Sequence, residues 1–285
     1  MFKEHTFNAG PVTLNYAVSP DPGPPLVLLH GITQRWQTFL PMLPFLTQSW
    51  RTYALDFRGH GKSGRAAVGQ YRGEDYSSDV IAFLERCVGE PAIILGHSLG
   101  GMVALYLAAH RPDLVRAAIL GDCILQFEDL ERTLYPSLFN QVVRYLDRDL
   151  SVEELAAALE RTEVESPQFG RLRVGVLPGL DAANLRAWAV SLKQLDPETL
   201  KMTLDGRAAA TWFGRKFVES VRCPTLLLQA DPGCGALMSD DGVQCALAAI
   251  PGAVHVQLEG MGHALHIHKA EPVVRAVLNF LATLE

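Results

Sequence analysis

The sequence predicts an α/β fold, a parallel sheet covered by helices on both faces, and three observations carry that prediction. Short, continuous apolar runs such as "LVLLH", "RTYALDF", "AIIL", "VRAAILGD" and "TLLLQA" read as strands buried on both faces. Segments with apolar residues at helical spacing alternate with them. The run from Ala92 to Pro112 also changes period abruptly at Gly96-His97-Ser98-Leu99-Gly100-Gly101. It is strand-like before the break and helical after it, with Met102, Leu105, Tyr106 and Ala109 on one helical side.

Taken in order, Lys3–Asn8 and Val12–Ser19 are expected strands, with Ala9-Gly10-Pro11 as the turn between them. A Pro/Gly-rich link, Pro20–Pro25, leads to "LVLLH", which ends at His30-Gly31. "RTYALDF" runs into the glycine-rich loop "RGHGKSG". Helical spacing follows from Ser77 to Cys87, with Asp75 or Ser77 as the N-cap. The strand and helix around Ser98 come next, and then the strand "VRAAILGD". Alternation stops after Asp122. Residues 126–214 read as amphipathic helices without a strand, one of them opened by the capping-box pattern Ser151-Val152-Glu153-Glu154. Alternation returns with "TLLLQA", the helix "VQCALAAI", the strand "AVHVQLEG" and a last helix from Glu271 to Leu284. The expected organisation is one α/β core, residues 1–125 and 215–285, interrupted by a helical insertion over 126–214.

Composition bounds the function. The 285 residues suit one large domain or a core with an insertion, and the net charge of −6 argues against nucleic acid or an anionic membrane as partner. Five scattered cysteines (Cys87, Cys123, Cys223, Cys234, Cys245) form no CxxC pair, which fits a reducing compartment. The opening "MFKEHTFNAG" lacks a signal-peptide core and no run reaches transmembrane length. A soluble cytoplasmic protein with no membrane partner is the expectation.

The break around Ser98 has a chemical reading. A neutral serine hydroxyl is a weak nucleophile and needs a base within hydrogen-bond reach. Gly-x-Ser-x-Gly between a buried strand and a helix presents the hydroxyl on a strained turn. Gly96 and Gly100 allow the strand and helix to cross closely there. The helix N-terminus suits a developing oxyanion.

Four stretches, "LLHG", "DFRGHGKSG", "GHSLGG" and "GMGH", stand in the order seen in the α/β-hydrolase fold family, and the chain resembles that family over nearly its full length. The resemblance implies a mostly parallel eight-stranded sheet with helices on both faces and a helical cap inserted after the sixth strand. It also implies Ser98 as nucleophile, His263 as general base, and the backbone N–H groups of Ile32 and Leu99 as the oxyanion hole. His30 and His97 match the oxyanion and elbow motifs, and His60 reads as a turn residue. His266 and His268 have no acidic or cysteine partner at ligand spacing, so neither metal nor cofactor is expected.

The base needs a carboxylate to hold its tautomer. The family's usual slot, in the loop after the seventh strand, falls here at Gly233, which departs from the pattern. The resemblance leaves Asp122, at the end of the sixth strand, as the favoured acid. Asp231 is the alternative, and Asp240 or Asp241 stand further along.

A serine nucleophile sets the chain apart from the haloalkane dehalogenases and epoxide hydrolases of this fold, which attack with aspartate. Acyl transfer to Ser98 and hydrolysis of a small, largely apolar carboxylic ester is the leading expectation. Lactone hydrolysis, C–C bond hydrolysis and cofactor-free perhydrolysis are variants of the same machinery. A small-ligand receptor with a slow or vestigial site is the alternative of another class. Trp36, Phe127, Tyr135 and Phe139 are the expected pocket residues, on the reading that some of these aromatics line an apolar site while the others serve packing.

Overall fold

The computed structural model describes residues 2–20, 23–125, 127–208 and 215–284, with the backbone alone at 127–129 and 215–216. Its strands are β1 (Lys3–Asn8), β2 (Thr13–Val18), β3 (Pro25–Leu29), β4 (Arg51–Leu55), β5 (Ala92–His97), β6 (Val115–Gly121), β7 (Glu163–Ser166), β8 (Gly170–Arg173), β9 (Thr225–Ala230) and β10 (Val254–Leu258). The α-helices are α1 (Leu43–Leu46), α2 (Gly73–Phe83), α3 (Leu99–His110), α4 (Tyr135–Leu146), α5 (Val152–Arg161), α6 (Ala182–Lys193), α7 (Glu198–Leu204), α8 (Arg215–Ser220), α9 (Asp240–Ala249), α10 (Leu265–His268) and α11 (Ala270–Leu281).

Eight strands form one sheet in the order β1-β2-β4-β3-β5-β6-β9-β10. The first two pairings, β1 with β2 and β2 with β4, are antiparallel, and the remainder of the sheet is parallel. The apolar runs account for this layering. Every residue of β3, β5 and β9 is buried, because side chains of both orientations meet a core. One face packs Val27, Leu29, Ile94 and Leu120 against helices that include α2 and α3. The other packs Leu26, Leu28, Ile93 and Leu226 against α1 and α11. This is the α/β sheet expected from the alternation.

Two expectations need correction. The helix expected from Ser77 begins four residues earlier, at Gly73, because the Asp75 carboxylate accepts the backbone N–H of Arg72 (2.9 Å) and so caps that earlier turn. The segment after β6 also contains strands: β7 and β8 form an antiparallel hairpin from Glu163↔Arg173 to Ser166↔Gly170. Only Val164 and Leu172 in these charged stretches are large apolar residues, too few to show an alternation. The other regular elements described between β6 and β9 are helices, and α5 opens on the reciprocal bonds of Ser151 and Glu154. It holds an apolar cluster of its own, including Leu138, Phe139, Leu155, Val164, Leu185, Trp188 and Leu192. Among the described residues no helix is long and apolar enough to cross a membrane.

Candidate active site

The site is built at the carboxyl ends of β3, β5, β6 and β9. Ser98 follows β5 and starts α3 with φ 54° and ψ −117°, a left-handed conformation costly for any residue with a β-carbon. The neighbouring glycines make the turn sterically feasible. A β-carbon on Gly96 would lie 2.0 Å from the carbonyl oxygen of Gly100, and one on Gly100 would lie 2.0 Å from that of Leu29. The helix therefore starts directly against two strands, with the serine at the apex.

The structure brings His263 and Asp122 together. His263 Nδ1 donates to Asp122 Oδ2 at 2.6 Å, which leaves Nε2 for the cavity. Asp122 follows β6 with φ 38° and is fully buried. Its carboxylate also accepts the backbone N–H groups of Ala230 (3.1 Å), Leu237 (2.9 Å) and Met238 (3.2 Å). Three oriented donors replace the water that a buried carboxylate loses. Asp231 is placed elsewhere: its two oxygens accept the N–H groups of Gly233 (2.8 Å) and Gly260 (2.7 Å), tying the loops after β9 and β10. Asp240 accepts from the amide of Gln229. Ser98 and His263 face the same cavity, with no direct hydrogen bond between them.

Histidines held neutral by burial lie around His263. His97 donates from Nε2 to the carbonyl oxygen of His263 (2.8 Å), and its ring lies 4.6 Å from that of His263. The His266 ring lies 4.9 Å from that of His97 and stacks on Phe39. Burial pushes His97 well below the usual imidazole range, with repulsion from His263 and His266 adding to it. Burial likewise pushes His266 down to about 3, His60 to about 3 and His30 to about 4. His30 accepts the Phe57 N–H, and His60 bonds the Arg58 carbonyl, so both brace the loops beside the site. Among the described residues no group of three metal-ligating side chains assembles.

These neutral rings predict an acid-labile fold. An unfolded histidine titrates near 6.5, whereas His30, His60 and His266 stay neutral until about pH 4, 3 and 3. The unfolded chain binds more protons in that window, so the stabilisation is complete above 6.5 and is lost as pH falls. Each ring contributes a slope of about 1.4 kcal/mol per pH unit. Urea midpoints should drop steeply between pH 7 and about 5, and a flat profile would refute the neutral burial of these rings.

The Ile32 and Leu99 N–H groups have no hydrogen-bond partner among the described residues, and both residues line the cavity beside Ser98. Of the expected pocket residues, Tyr135 and Phe139 stand in the wall. The Tyr135 ring lies 4.9 Å from that of His263, and burial, then the charge of Asp122, pushes its phenol well above the usual range. Trp36 is corrected. Its indole donates to Glu4 (2.8 Å), its backbone N–H donates to Asp56 (2.7 Å), and its ring is buried with Phe39 and Leu43 in the core beneath the sheet. The Phe127 side chain lies outside the described residues.

The cavity measures about 140 Å³. Ile124, Leu134, Leu138, Leu177, Leu180, Leu237 and Ile267 are among the apolar residues of the wall, and no lysine, arginine, aspartate or glutamate belongs to it among the described residues. Sequence reasoning missed Thr33 and Trp188, joined by a 3.0 Å bond from the indole N–H to Thr33 Oγ1. No spacing or motif marks that pair, which stands 155 positions apart.

Sheet order, strained elbow and cavity together define a hydrolase scaffold. A family model described as alpha/beta hydrolase family matches residues 26–276, and the chain belongs to that family of enzymes. A pimeloyl-[acyl-carrier protein] methyl ester esterase of Neisseria meningitidis serogroup C is 39% identical over 212 residues, 73% of this chain and 75% of that one. A 2-(acetamidomethylene)succinate hydrolase of Mesorhizobium japonicum is 35% identical over 121 residues, but the match spans only 42% of this chain and 43% of that protein. A crystal structure of E-2-(acetamidomethylene)succinate hydrolase superposes with a TM-score of 0.76, covering 99% of this chain and 100% of that one at 22% identity. That last likeness is one of fold.

Proposed function

We propose that the protein is a serine hydrolase of small, neutral, largely apolar carboxylic esters, acting through an acyl-enzyme on Ser98. The observation that carries this reading is a cavity that joins Ser98, His263 and two N–H groups that have no partner among the described residues, within a wall whose described residues carry no charged side chain but the histidines'. His263 Nε2 takes the proton of Ser98 Oγ as the oxygen adds to the ester carbonyl. The oxyanion settles on the Ile32 and Leu99 N–H groups at the positive end of α3. The carbonyl re-forms, the C–O bond to the alcohol breaks, and the imidazolium returns its proton to the departing oxygen. Water, deprotonated by the same nitrogen, then attacks the acyl carbon. Collapse releases the acid and restores Ser98–OH. Asp122 holds the tautomer and offsets the imidazolium charge throughout.

Charge and size narrow the substrate. An ionised carboxylate in this cavity would lose its water and meet no cation among the described lining residues. An apolar cavity of about 150 Å³ takes one benzene-sized group, so a short acyl or aryl group fits the observed volume. Neutral p-nitrophenyl esters with short acyl chains should therefore be hydrolysed about 100-fold better, in kcat/KM, than the p-nitrophenyl monoester of succinate, which differs by one carboxylate. Equal rates on the two would overturn the neutral-substrate reading. Saturable binding of the neutral esters with no acid released would favour the receptor instead.

A further inference from the structure

The loop that carries Ile32 is strained and held from two sides. Thr33 has φ 71°, a region in which a β-branched residue is a conformational outlier. Such strain persists only where surroundings over-determine the backbone. One hold is local, the Gln34 N–H donating to the Gly31 carbonyl at 3.1 Å. The second comes from the insertion: Trp188 Nε1 on α6 donates to Thr33 Oγ1 at 3.0 Å. Both residues line the cavity and are buried, Thr33 at 4% and Trp188 at 8% exposure. Trp188 is itself fixed by the insertion's apolar cluster. A further tie, Arg35 Nη1 to Gln194 Oε1 at 3.3 Å, joins the same loop to the end of α6.

We propose that Trp188 is a positioning residue for the oxyanion hole. Its indole N–H grips Thr33, and that grip holds the preceding residue, Ile32, with its N–H aimed beside Ser98. The insertion then completes the reacting geometry as well as roofing the cavity. This rests on the serine-hydrolase reading above. Its consequence is specific: the Trp188–Thr33 bond matters more to the transition state than to the bound ester, because the oxygen becomes an anion only there.

Trp188→Phe keeps the ring and removes the donor, and Thr33→Val keeps the branch and removes the acceptor. Each should lower kcat on a neutral p-nitrophenyl ester by about 10- to 30-fold, a fraction of the 10²- to 10³-fold cost of losing a donor outright, with KM within about threefold. Both substitutions remove one bond, so the double variant should be no slower than the slower single one. Thr33→Ser restores the acceptor and should recover most of the turnover. Affinity for a trifluoromethyl ketone, which forms an oxyanion on the serine, should fall in parallel with kcat. The proposal is overturned if the losses appear in KM alone, if they multiply in the double variant, or if Thr33→Val matches the parent. The Thr33 arm stands even where Trp188→Phe fails to fold. A parent that is inert to every ester and to the ketone would overturn the serine-hydrolase reading and this proposal with it. A reactive parent with additive losses would overturn this proposal alone.

Discussion

Ser98→Ala should abolish ester turnover, by about 10⁶-fold in kcat, and Asp122→Asn should lower it by about 10⁴-fold, while Asp231→Asn leaves it near the parent value. On the proposed mechanism the first loss is that of the nucleophile. The second has two physical parts. An amide at position 122 carries no charge to offset the imidazolium. Its NH2 end would also face one of the donors now met by carboxylate oxygens, the N–H groups of Ala230, Leu237 and Met238 or His263 Nδ1. The His263 tautomer is then no longer held with Nε2 free for Ser98. The same mismatch should destabilise the fold by about 1–3 kcal/mol, so circular dichroism must accompany the kinetics. Among the described residues the Asp231 carboxylate accepts only the backbone N–H groups of Gly233 and Gly260. Full activity in Asp122→Asn together with a loss in Asp231→Asn would move the acid to the later loop and refute this account.

The second large effect is on folding. Gly100→Ala would set a methyl carbon 2.0 Å from the Leu29 carbonyl oxygen, and Gly96→Ala would set one 2.0 Å from that of Gly100. Both obstacles are backbone atoms of a strand and of the elbow, so no side-chain rotation relieves them. Each change should cost more than about 4 kcal/mol and leave little folded protein in urea titrations. Gly252→Ala provides the contrast. Its φ of 70° is left-handed but nothing lies within 4 Å of the added carbon, so only backbone strain of about 1–2 kcal/mol is expected. A stable, cooperatively folding Gly100→Ala protein would show that strand and helix do not cross as closely as described.

Much of the site was legible because its determinants are local. The elbow depends on residues within a few positions of Ser98, and the glycines mark the close crossing directly. Asp122 could be named only as the favoured one of several candidate carboxylates, on the resemblance and on its place at the end of an apolar strand, where the ends of parallel strands converge on one edge. The pocket was harder to read. Trp36 and Tyr135 are both aromatic residues near expected site segments, yet one points into the core under the sheet and the other into the cavity. Composition does not distinguish them, because the direction of a side chain depends on how its segment is seated. The hairpin of β7 and β8 escaped because four-residue strands with one large apolar residue each leave no period to detect.

By itself, then, the sequence determined the parallel sheet, the strained turn and the residue types gathered at its edge, since continuous apolar runs and glycine spacing act over a few residues. Tertiary structure alone decided which carboxylate meets His263, which aromatics face the cavity and which insertion residue grips the loop of Ile32. Those relations join positions such as 122 and 263, or 33 and 188, that share no local geometry. They exist only once the sheet has brought its strand ends together and the insertion has packed against them.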